Sequence, residues 1–385
     1  MSTTATITLD RQDKLQLGMD RLFGACTVEA EDRHREIPAF RGLRHAFKVI
    51  TGRELADVQG HLVTTAQEEI LSMTWTNILG ASMHRRLIKD YVAPAYGENN
   101  IISYRPGGVS NFKTQETLRV NYLADLSPVD PETADYVEIV EPGDEAVTWD
   151  VLQKGNLLTV SRKTMLNDDL GAVIKTVGRV GRAARRTFAK FVWGFWVNNS
   201  LYEADGTAWF TTGGGSHLNL VATTLTADTD GAAHILDALI LLGGMIEPGS
   251  GERLGLPELR NLMCWLVVPI ELMAIAHILN SSPTILTALG APAGNPVYHL
   301  FGANDERIIV NALLTDATDW GIFRDPSEVD SIEIGFLNDQ REPEFFVASV
   351  PTIGQMFIAD KQQYKVRHEY GGNIVDFRGA VKSEQ

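Results

Sequence analysis

The sequence predicts a mixed α+β protein, and three patterns along the chain support this fold class. A long amphipathic helix is predicted over residues 167–199, strands alternate with helices over roughly 200–338, and the tail from 345 to 381 is rich in strand-forming residues. A chain of 385 residues buries a large core and typically forms roughly two or three domains. Its content of 44% hydrophobic and 22% charged residues is typical of a soluble globular protein.

The N-terminal quarter contains one clear helical pattern. Residues 1–63 show weak periodicity and mixed charge, which predicts an extended arm or a loosely packed leader. Thr65 and Glu68 then form a capping-box pattern, and apolar residues continue at helical spacing to about Tyr91. Residues 94–115 contain several prolines and glycines, which is typical of loops.

A long and purely acidic β-hairpin is predicted next. Apolar residues alternate on both sides of the segment from Thr117 to Val160. Between residues 125 and 150 there is no Lys or Arg, so this excursion is too acidic and too weakly hydrophobic to bury itself. It must either extend into solvent or lie on a partner. Its acids are Asp125, Asp130, Glu132, Asp135, Glu138, Glu141, Asp144, Glu145 and Asp150.

The predicted helix over 167–199 has an apolar stripe on one face and cations on the opposite face. Asn167 is a favourable N-cap residue, and the two aspartates that follow it suit the first turn of a helix. The glycines within the pattern indicate close backbone approach or a gentle bend; they are Gly171, Gly178, Gly181 and Gly194. The cations are Lys175, Arg179, Arg182, Arg186 and Lys190, with Arg185 at the edge of the stripe.

An acidic hairpin beside a basic helix predicts a role in assembly, because both sets of charges are neutralised when the hairpin of one copy lies on the helix of another. A solvated face is one alternative interpretation of the basic stripe, and contact with DNA is another. Exposed ion pairs are worth only ~0–1 kcal/mol each, so pairing requires many repeats. The candidate inter-subunit contacts are Lys175, Arg179, Arg182, Arg186, Lys190, Asp130, Glu132, Asp135, Glu138, Glu141, Asp144 and Glu145.

Two further helices and a buried strand are predicted after residue 200. Asp230 is a plausible N-cap for an apolar helix over 232–246. A buried strand is predicted over 262–268, and a helix follows it with Pro269 at its first position. Charged and helix-breaking residues in this apolar run argue against a transmembrane span.

The C-terminal part is predicted to consist mainly of strands. The segments 307–314 and 332–337 have the apolar pattern of strands, and the tail continues this pattern. The tripeptide Gly371-Gly372-Asn373 is a strong turn signal between strands.

No pattern in the sequence indicates catalysis, a metal or a cofactor. The motifs of P-loop nucleotide sites, zinc peptidases, CxxC pairs and serine hydrolase elbows are absent. The net charge of −15 argues against a general nucleic-acid coat protein, because neutralising phosphates requires an excess of Lys and Arg. Cys26 and Cys264 are predicted to be free thiols in a reducing cytoplasm, and the N-terminus lacks the apolar region of a secretory signal.

Several stretches, taken in their order and spacing, resemble the major capsid proteins of tailed bacteriophages. They are SRKTMLNDDLGAV (Ser161–Val173), WLVVPIELMAIAHIL (Trp265–Leu279), WGIFRDP (Trp320–Pro326) with IEIGFL (Ile332–Leu337), and YKVRHEYGGNIVDFRGAVK (Tyr364–Lys382). The resemblance covers about residues 70 to 382. It is closest to the Mu-type major head subunits, which have the Hong Kong 97-type fold.

The resemblance implies a division of the chain into six regions. Residues 1–63 correspond to the N-terminal arm, 64–116 to the N-terminal helix and connecting loop of the peripheral domain, 117–160 to the extended loop, 161–199 to the spine helix of the peripheral domain, 200–340 to the axial domain, and 341–385 to the C-terminal strands that complete both domains.

The function that the resemblance implies is self-assembly, through hexamers and pentamers, into an icosahedral shell around double-stranded DNA. Such a protein has no enzymatic activity and no cofactor, encloses DNA without sequence-specific binding, and does not contact a membrane. Its expected partners are itself, a portal, a scaffold or protease, and a decoration protein. It is assembled in the host cytoplasm and resides in the virion. The alternatives are an encapsulin-like compartment shell protein of the same fold and an enzyme with an unrecognised site.

Overall fold

The structure is a computed structural model that describes residues 11–27, 37–51, 66–93, 96–119, 126, 138, 145–161, 171–213, 217–247, 250–256, 262–348, 358–359 and 361–385. Its α-helices span Arg11–Phe23, Leu43–Thr51, Ala66–Val92, Ala172–Val197, Thr229–Gly244 and Met273–Ser281. Its strands span Ile102–Tyr104, Gln115–Arg119, Glu145–Trp149, Leu152–Ser161, Leu201–Tyr202, Thr207–Ala208, Leu220–Val221, Cys264–Val268, Thr284–Leu286, Pro292–Gly294, Ile308–Val310, Trp320–Arg324, Ile332–Phe336, Glu344–Val347, Lys361–Ile374 and Ala380–Ser383. The predicted α+β class is confirmed.

The chain forms two compact units, each built from three segments of the sequence. The first unit comprises residues 1–94, 153–187 and 340–369, and the second comprises 95–152, 188–339 and 370–385. The helix Ala172–Val197 and the strand Lys361–Ile374 contribute residues to both units.

The first unit contains two helices where the sequence predicts an extended or loosely packed leader. The helices Arg11–Phe23 and Leu43–Thr51 pack on the helix Ala66–Val92. The leader prediction is therefore wrong for the described residues. Leu43, Ala46, Phe47 and Ile50 recur at helical spacing and are all buried, so burial of one apolar face stabilises even a nine-residue helix.

The helix Ala66–Val92 confirms the helix that the sequence predicts over this segment, although Thr65 lies outside the described residues. On this helix, Leu79, Met83 and Leu87 are fully buried in the core of the first unit. The strand Glu344–Val347 packs against the same helix and pairs with the strand that begins at Lys361.

The second unit is organised around a mixed five-stranded sheet. The strands run in the spatial order Ile308–Val310, Cys264–Val268, Trp320–Arg324, Ala380–Ser383 and Leu220–Val221. The first two pair in parallel, and the central strand pairs antiparallel with both of its neighbours. The helix Thr229–Gly244 covers this sheet and buries Ala232, Ile235 and Leu239. The predicted strands over 262–268 and 307–314 are thus confirmed.

The N-cap of this helix is Asp228 and not Asp230. The Asp228 carboxylate accepts hydrogen bonds from the backbone N–H groups of Asp230 and Gly231, both at 3.1 Å. An N-cap carboxylate bonds the donors two and three residues later, so the cap lies two residues earlier than the apolar pattern alone indicates.

The predicted turn at Gly371-Gly372-Asn373 is wrong, because these residues lie within the strand Lys361–Ile374. There they pair antiparallel with the strand Ile332–Phe336. A side chain at Gly371 would collide with the backbone carbonyl of Asp150, and one at Gly372 with that of Glu333. The glycines therefore permit close backbone packing and do not reverse the chain.

Candidate assembly surface

The long helix Ala172–Val197 confirms the helical prediction for this segment. Its 26 residues extend roughly 39 Å at 1.5 Å per residue. The predicted start near Asn167 is wrong, because the helix begins at Ala172 and Gly171 before it has a φ of +63° outside the helical region; Asn167 itself lies outside the described residues. The predicted apolar stripe is buried at Val177, Phe188 and Val192, and three residues outside that stripe are buried as well: Ala189, Trp193 and Trp196.

Lys175, Arg179, Arg186 and Lys190 are exposed on this helix, and we call them the basic face. At 100° per residue their positions fall within about 60° of the helix circumference, along roughly 22 Å of its length. Within the described part of the chain, none of the four has an ion pair. The basic face is therefore a dense, accessible row of positive charge on a protein whose net charge is −15.

Arg182 lies on the same stripe but is engaged within its own chain. Its guanidinium donates to Asp90 Oδ1 at 2.8 Å, and Arg86 Nε donates to the other oxygen of the same carboxylate at 2.5 Å. The Asp90 side chain is only 10% exposed. Arg182 therefore joins two helices of its own chain, whereas the sequence predicts it as an inter-subunit contact.

The close backbone approach predicted from the helix glycines is confirmed at two of them. A β-carbon at Gly181 would overlap the carbonyl oxygen of Leu87, and one at Gly178 would overlap the Asp90 carboxylate. Both contacts bring the long helix against the helix Ala66–Val92. Because the glycines let the two backbones meet here, Arg182 lies within reach of Asp90.

Two paired strands flank residues 120–144, which we call the acidic segment. The strands Gln115–Arg119 and Glu145–Trp149 pair antiparallel, with Arg119 opposite Glu145 at the end of the ladder. The base of the predicted hairpin is therefore confirmed, but its predicted extent to Val160 is wrong, because the strand Leu152–Ser161 pairs with the strand Lys361–Ile374. Glu138 is exposed. The other candidate acids lie outside the described residues: Asp130, Glu132, Asp135, Glu141 and Asp144.

Glu145 is bound by residues of its own unit. Its carboxylate oxygens accept hydrogen bonds from Arg378 Nη1 and Nη2 at 3.0 and 3.1 Å, and one of them also accepts from the Tyr202 hydroxyl at 3.0 Å. Burial raises the pKa of Glu145, but the hydrogen bonds and charge of Arg378 outweigh burial, so the pKa lies below its ordinary value. These contacts satisfy Glu145 within the chain, so its charge is not available to a neighbouring subunit.

Two more charged residues complete this group, which we call the root cluster: Arg119, Glu145, Asp376 and Arg378. Arg119 lies 2.7 Å from Asp376, and Arg378 Nη1 donates to Asp376 at 3.1 Å. Burial raises the pKa of Asp376, and the two arginines oppose that rise. The charges balance, and the root cluster fixes both strands from which the acidic segment departs. Sequence patterns miss it because its members are separated by up to 259 positions.

The described residues hold no group of three or more His, Cys, Asp and Glu side chains that is arranged to bind a metal ion. Among them, no helix combines the length and apolar character that crossing a membrane requires. Both cysteines are free thiols, as predicted, and burial raises the pKa of Cys264 to about 12.

A protein-family model described as phage capsid protein matches residues 144–383. Three solved structures are similar to this chain at low sequence identity. The capsid of the native GTA particle is 14% identical, with 76% of this chain and 92% of that one covered and a TM-score of 0.48. The capsid of cyanophage P-SCSP1u is 12% identical, with 75% and 88% covered and a TM-score of 0.49. A virus-like particle from Pyrococcus furiosus is 12% identical, with 78% and 98% covered and a TM-score of 0.42.

No curated protein sequence matches the chain. The matched residues 144–383 make up more than half of the sequence and include the long helix, the mixed sheet and the C-terminal strands. It confirms, at the level of the family, the resemblance carried by the long helix and the C-terminal stretches. The chain belongs to the phage capsid protein family.

Proposed function

We propose that this chain is the major head subunit of a tailed bacteriophage. Copies assemble through hexamers and pentamers into an icosahedral shell that encloses double-stranded DNA. Family membership and the α+β fold support this role. The role is structural, without enzymatic activity, and the six regions implied by the Hong Kong 97-type resemblance are part of the proposal. Assembly takes place in the host cytoplasm, and the mature protein resides in the virion.

The observation that carries the proposal is the basic face. Four exposed cations lie along one face of a single helix, on a protein with 49 acids and 34 Lys and Arg residues. Their like charges repel one another, so the row is stabilised when an acidic surface lies against it. The acidic segment of a second copy, rooted between Arg119 and Glu145, has the complementary charge and no cation between residues 125 and 150.

We therefore propose that the acidic segment of one subunit lies on the basic face of a neighbour. Each exposed pair contributes only ~0–1 kcal/mol, so the contact is effective because it is repeated around the shell. The proposed contacts are Lys175, Arg179, Arg186 and Lys190 on one side, and Asp130, Glu132, Asp135, Glu138, Glu141 and Asp144 on the other.

Charge reversal of the basic face tests the pairing. The triple variant Arg179→Glu, Arg186→Glu, Lys190→Glu leaves Arg182 and its Asp90 pair intact. We expect folded subunits, by circular dichroism and thermal melting, that form few or no closed particles in electron microscopy and sedimentation velocity.

The matched control reverses three exposed cations outside the helix: Lys113→Glu, Arg253→Glu and Lys361→Glu. It changes the net charge by the same amount and should assemble like the unmodified protein. Normal shells from the basic-face variant contradict the pairing. If those shells also hold less nucleic acid, the basic face contacts DNA.

The wider proposal includes partners that the subunit meets during assembly: a portal, a scaffold or protease, and a decoration protein. DNA is enclosed without sequence-specific binding, which suits a wall of net negative charge. Electron microscopy of the purified chain tests the shell itself. Compact monomers at every salt and protein concentration contradict it, and particles that hold a protein cargo in place of DNA favour the encapsulin-like alternative.

A further inference from the structure

The second unit contains a long stretch without charge. From Leu272 to Asn304, 33 consecutive residues include no Asp, Glu, Lys or Arg, although 22% of the whole chain is charged. All of these residues are described. They form the helix Met273–Ser281, a two-stranded hairpin and the turns that follow. We call them the uncharged segment.

The uncharged segment exposes large apolar side chains that its own unit does not cover. The hairpin pairs Thr284–Leu286 with Pro292–Gly294. Its inner face buries Ile285 to 3% exposure, while Leu286 on the outer face is 55% exposed and Leu289 at the tip is 97% exposed. The same segment also exposes Met273, Ile278 and Tyr298. Interface cores are typically depleted of charge and enriched in Met and aromatic residues.

Hydrogen bonds hold the hairpin tip in a defined conformation. The Thr287 N–H donates to the Ala291 carbonyl at 2.8 Å, and the Gly290 N–H donates to the Thr287 carbonyl at 2.8 Å. Gly290 has a φ of +80°, which favours glycine. At the base of the hairpin, the Asn295 side-chain amide donates to the carbonyl oxygens of Leu279 and Ser282. Leu289 is therefore presented on a fixed support and not on a loose loop.

The absence of charged residues in the uncharged segment favours a second copy of this chain as its partner. Nucleic acid is excluded because no cation is present to neutralise phosphate. Copies of a chain with net charge −15 repel each other over most of their surfaces, and a charge-free apolar surface is where they approach without that repulsion. Such a surface is complementary to itself and needs no matching charge. This argument rests on the proposed function, in which copies must meet.

We propose that the hairpin 284–294 is a self-association surface, and that its tip, led by Leu289, packs on the uncharged segment of a second copy. Burial of Leu286 and Leu289 in this contact removes apolar area from water and favours assembly. The contact is separate from the basic face, because it depends on apolar burial and persists at high salt.

The first test introduces charge at the tip. The double variant Leu286→Asp, Leu289→Asp should fold normally but lose about tenfold or more of its assembled protein at a concentration where the unmodified chain assembles fully. The matched control, Leu201→Asp with Ile240→Asp, adds the same charge at exposed apolar positions of the same unit outside the segment. Full assembly of the tip variant, or equal loss in the control, overturns the proposal.

The second test does not depend on shell formation. In the variant Leu289→p-benzoylphenylalanine, irradiation of the purified chain should give covalent multimers that mass spectrometry maps to residues 272–304 of the second copy. Only monomer after irradiation overturns the proposal. If multimers form but the unmodified chain makes no closed particles, the self-contact stands and the proposed shell function fails.

Discussion

Gly181 of the long helix lies against the backbone carbonyl of Leu87, so close that a β-carbon at position 181 would overlap the carbonyl oxygen. We expect Gly181→Ala to destabilise the protein by about 1–3 kcal/mol, because the two helices must separate to admit a methyl group. This outcome reverses the ordinary preference of helices for alanine over glycine. Urea denaturation followed by circular dichroism measures the change.

Gly194 provides the control within the same helix. Among the described residues, a β-carbon there meets only Asn198 Nδ2, at an ordinary contact distance of 3.7 Å. Gly194→Ala should therefore be neutral or stabilise by up to about 1 kcal/mol. Equal changes in the free energy of unfolding for the two substitutions would contradict a steric clash between position 181 and the Leu87 carbonyl.

The root cluster should contribute strongly to stability through Arg378. After Arg378→Met, Arg119 is the ion-pair partner that the described residues still provide for Glu145 and Asp376, and Asp376 is only 2% exposed. Removing one partner from a buried ionic group typically costs about 3–5 kcal/mol. We expect a loss of this order in the free energy of unfolding, measured by chemical denaturation.

Arg367→Met tests whether any paired arginine would give this result. Arg367 pairs most closely with Glu344, and these side chains are 30% and 37% exposed; Glu369 lies farther from it, at 3.5 Å. Such a pair should contribute no more than about 1 kcal/mol. A similar cost for both substitutions would contradict the special role of burial in the root cluster.

The N-cap of the helix Thr229–Gly244 gives a third prediction. Asp228→Ala removes the acceptor of two backbone N–H groups and should cost about 0.5–2 kcal/mol. Asp230→Ala, at the cap position that the sequence indicates, removes only an acid from the first turn and should cost less than about 1 kcal/mol. Thermal melts of the two variants compare them directly, and a larger loss for Asp230→Ala would place the cap there.

Local patterns predicted most helices and core strands, because each buries one apolar face whose period is visible in the sequence. They failed where the role of a residue depends on a contact with a residue that is distant in the sequence. Gly371 looks like a turn residue, yet it is needed for contact with the Asp150 backbone. Arg182 looks like part of an open stripe, yet it binds Asp90. No local pattern shows either partner.

The buried imidazole of His368 should make stability depend on pH. Burial lowers its pKa to about 4; the positive charges of Lys154 and Arg185 also lower it, and the hydrogen bond to the Arg341 carbonyl opposes them. Below a pH of about 6.5 the unfolded chain binds a proton at this position that the folded chain does not bind until the pH approaches 4. Stability is therefore full above that window and falls as the pH drops through it.

The loss attributable to His368 should reach about 3 kcal/mol at the acid end of the window, since each pKa unit corresponds to about 1.4 kcal/mol. His368→Gln carries no titrating imidazole, so its free energy of unfolding should fall less steeply between pH 6.5 and 4 than that of the unmodified protein. The two proteins are compared by the slope of their free energy of unfolding against pH. A loss of packing in the variant lowers its stability equally at every pH and leaves this slope unchanged. Parallel curves for the two proteins would show that His368 takes up its proton equally in the folded and unfolded chains, against the burial observed for its ring.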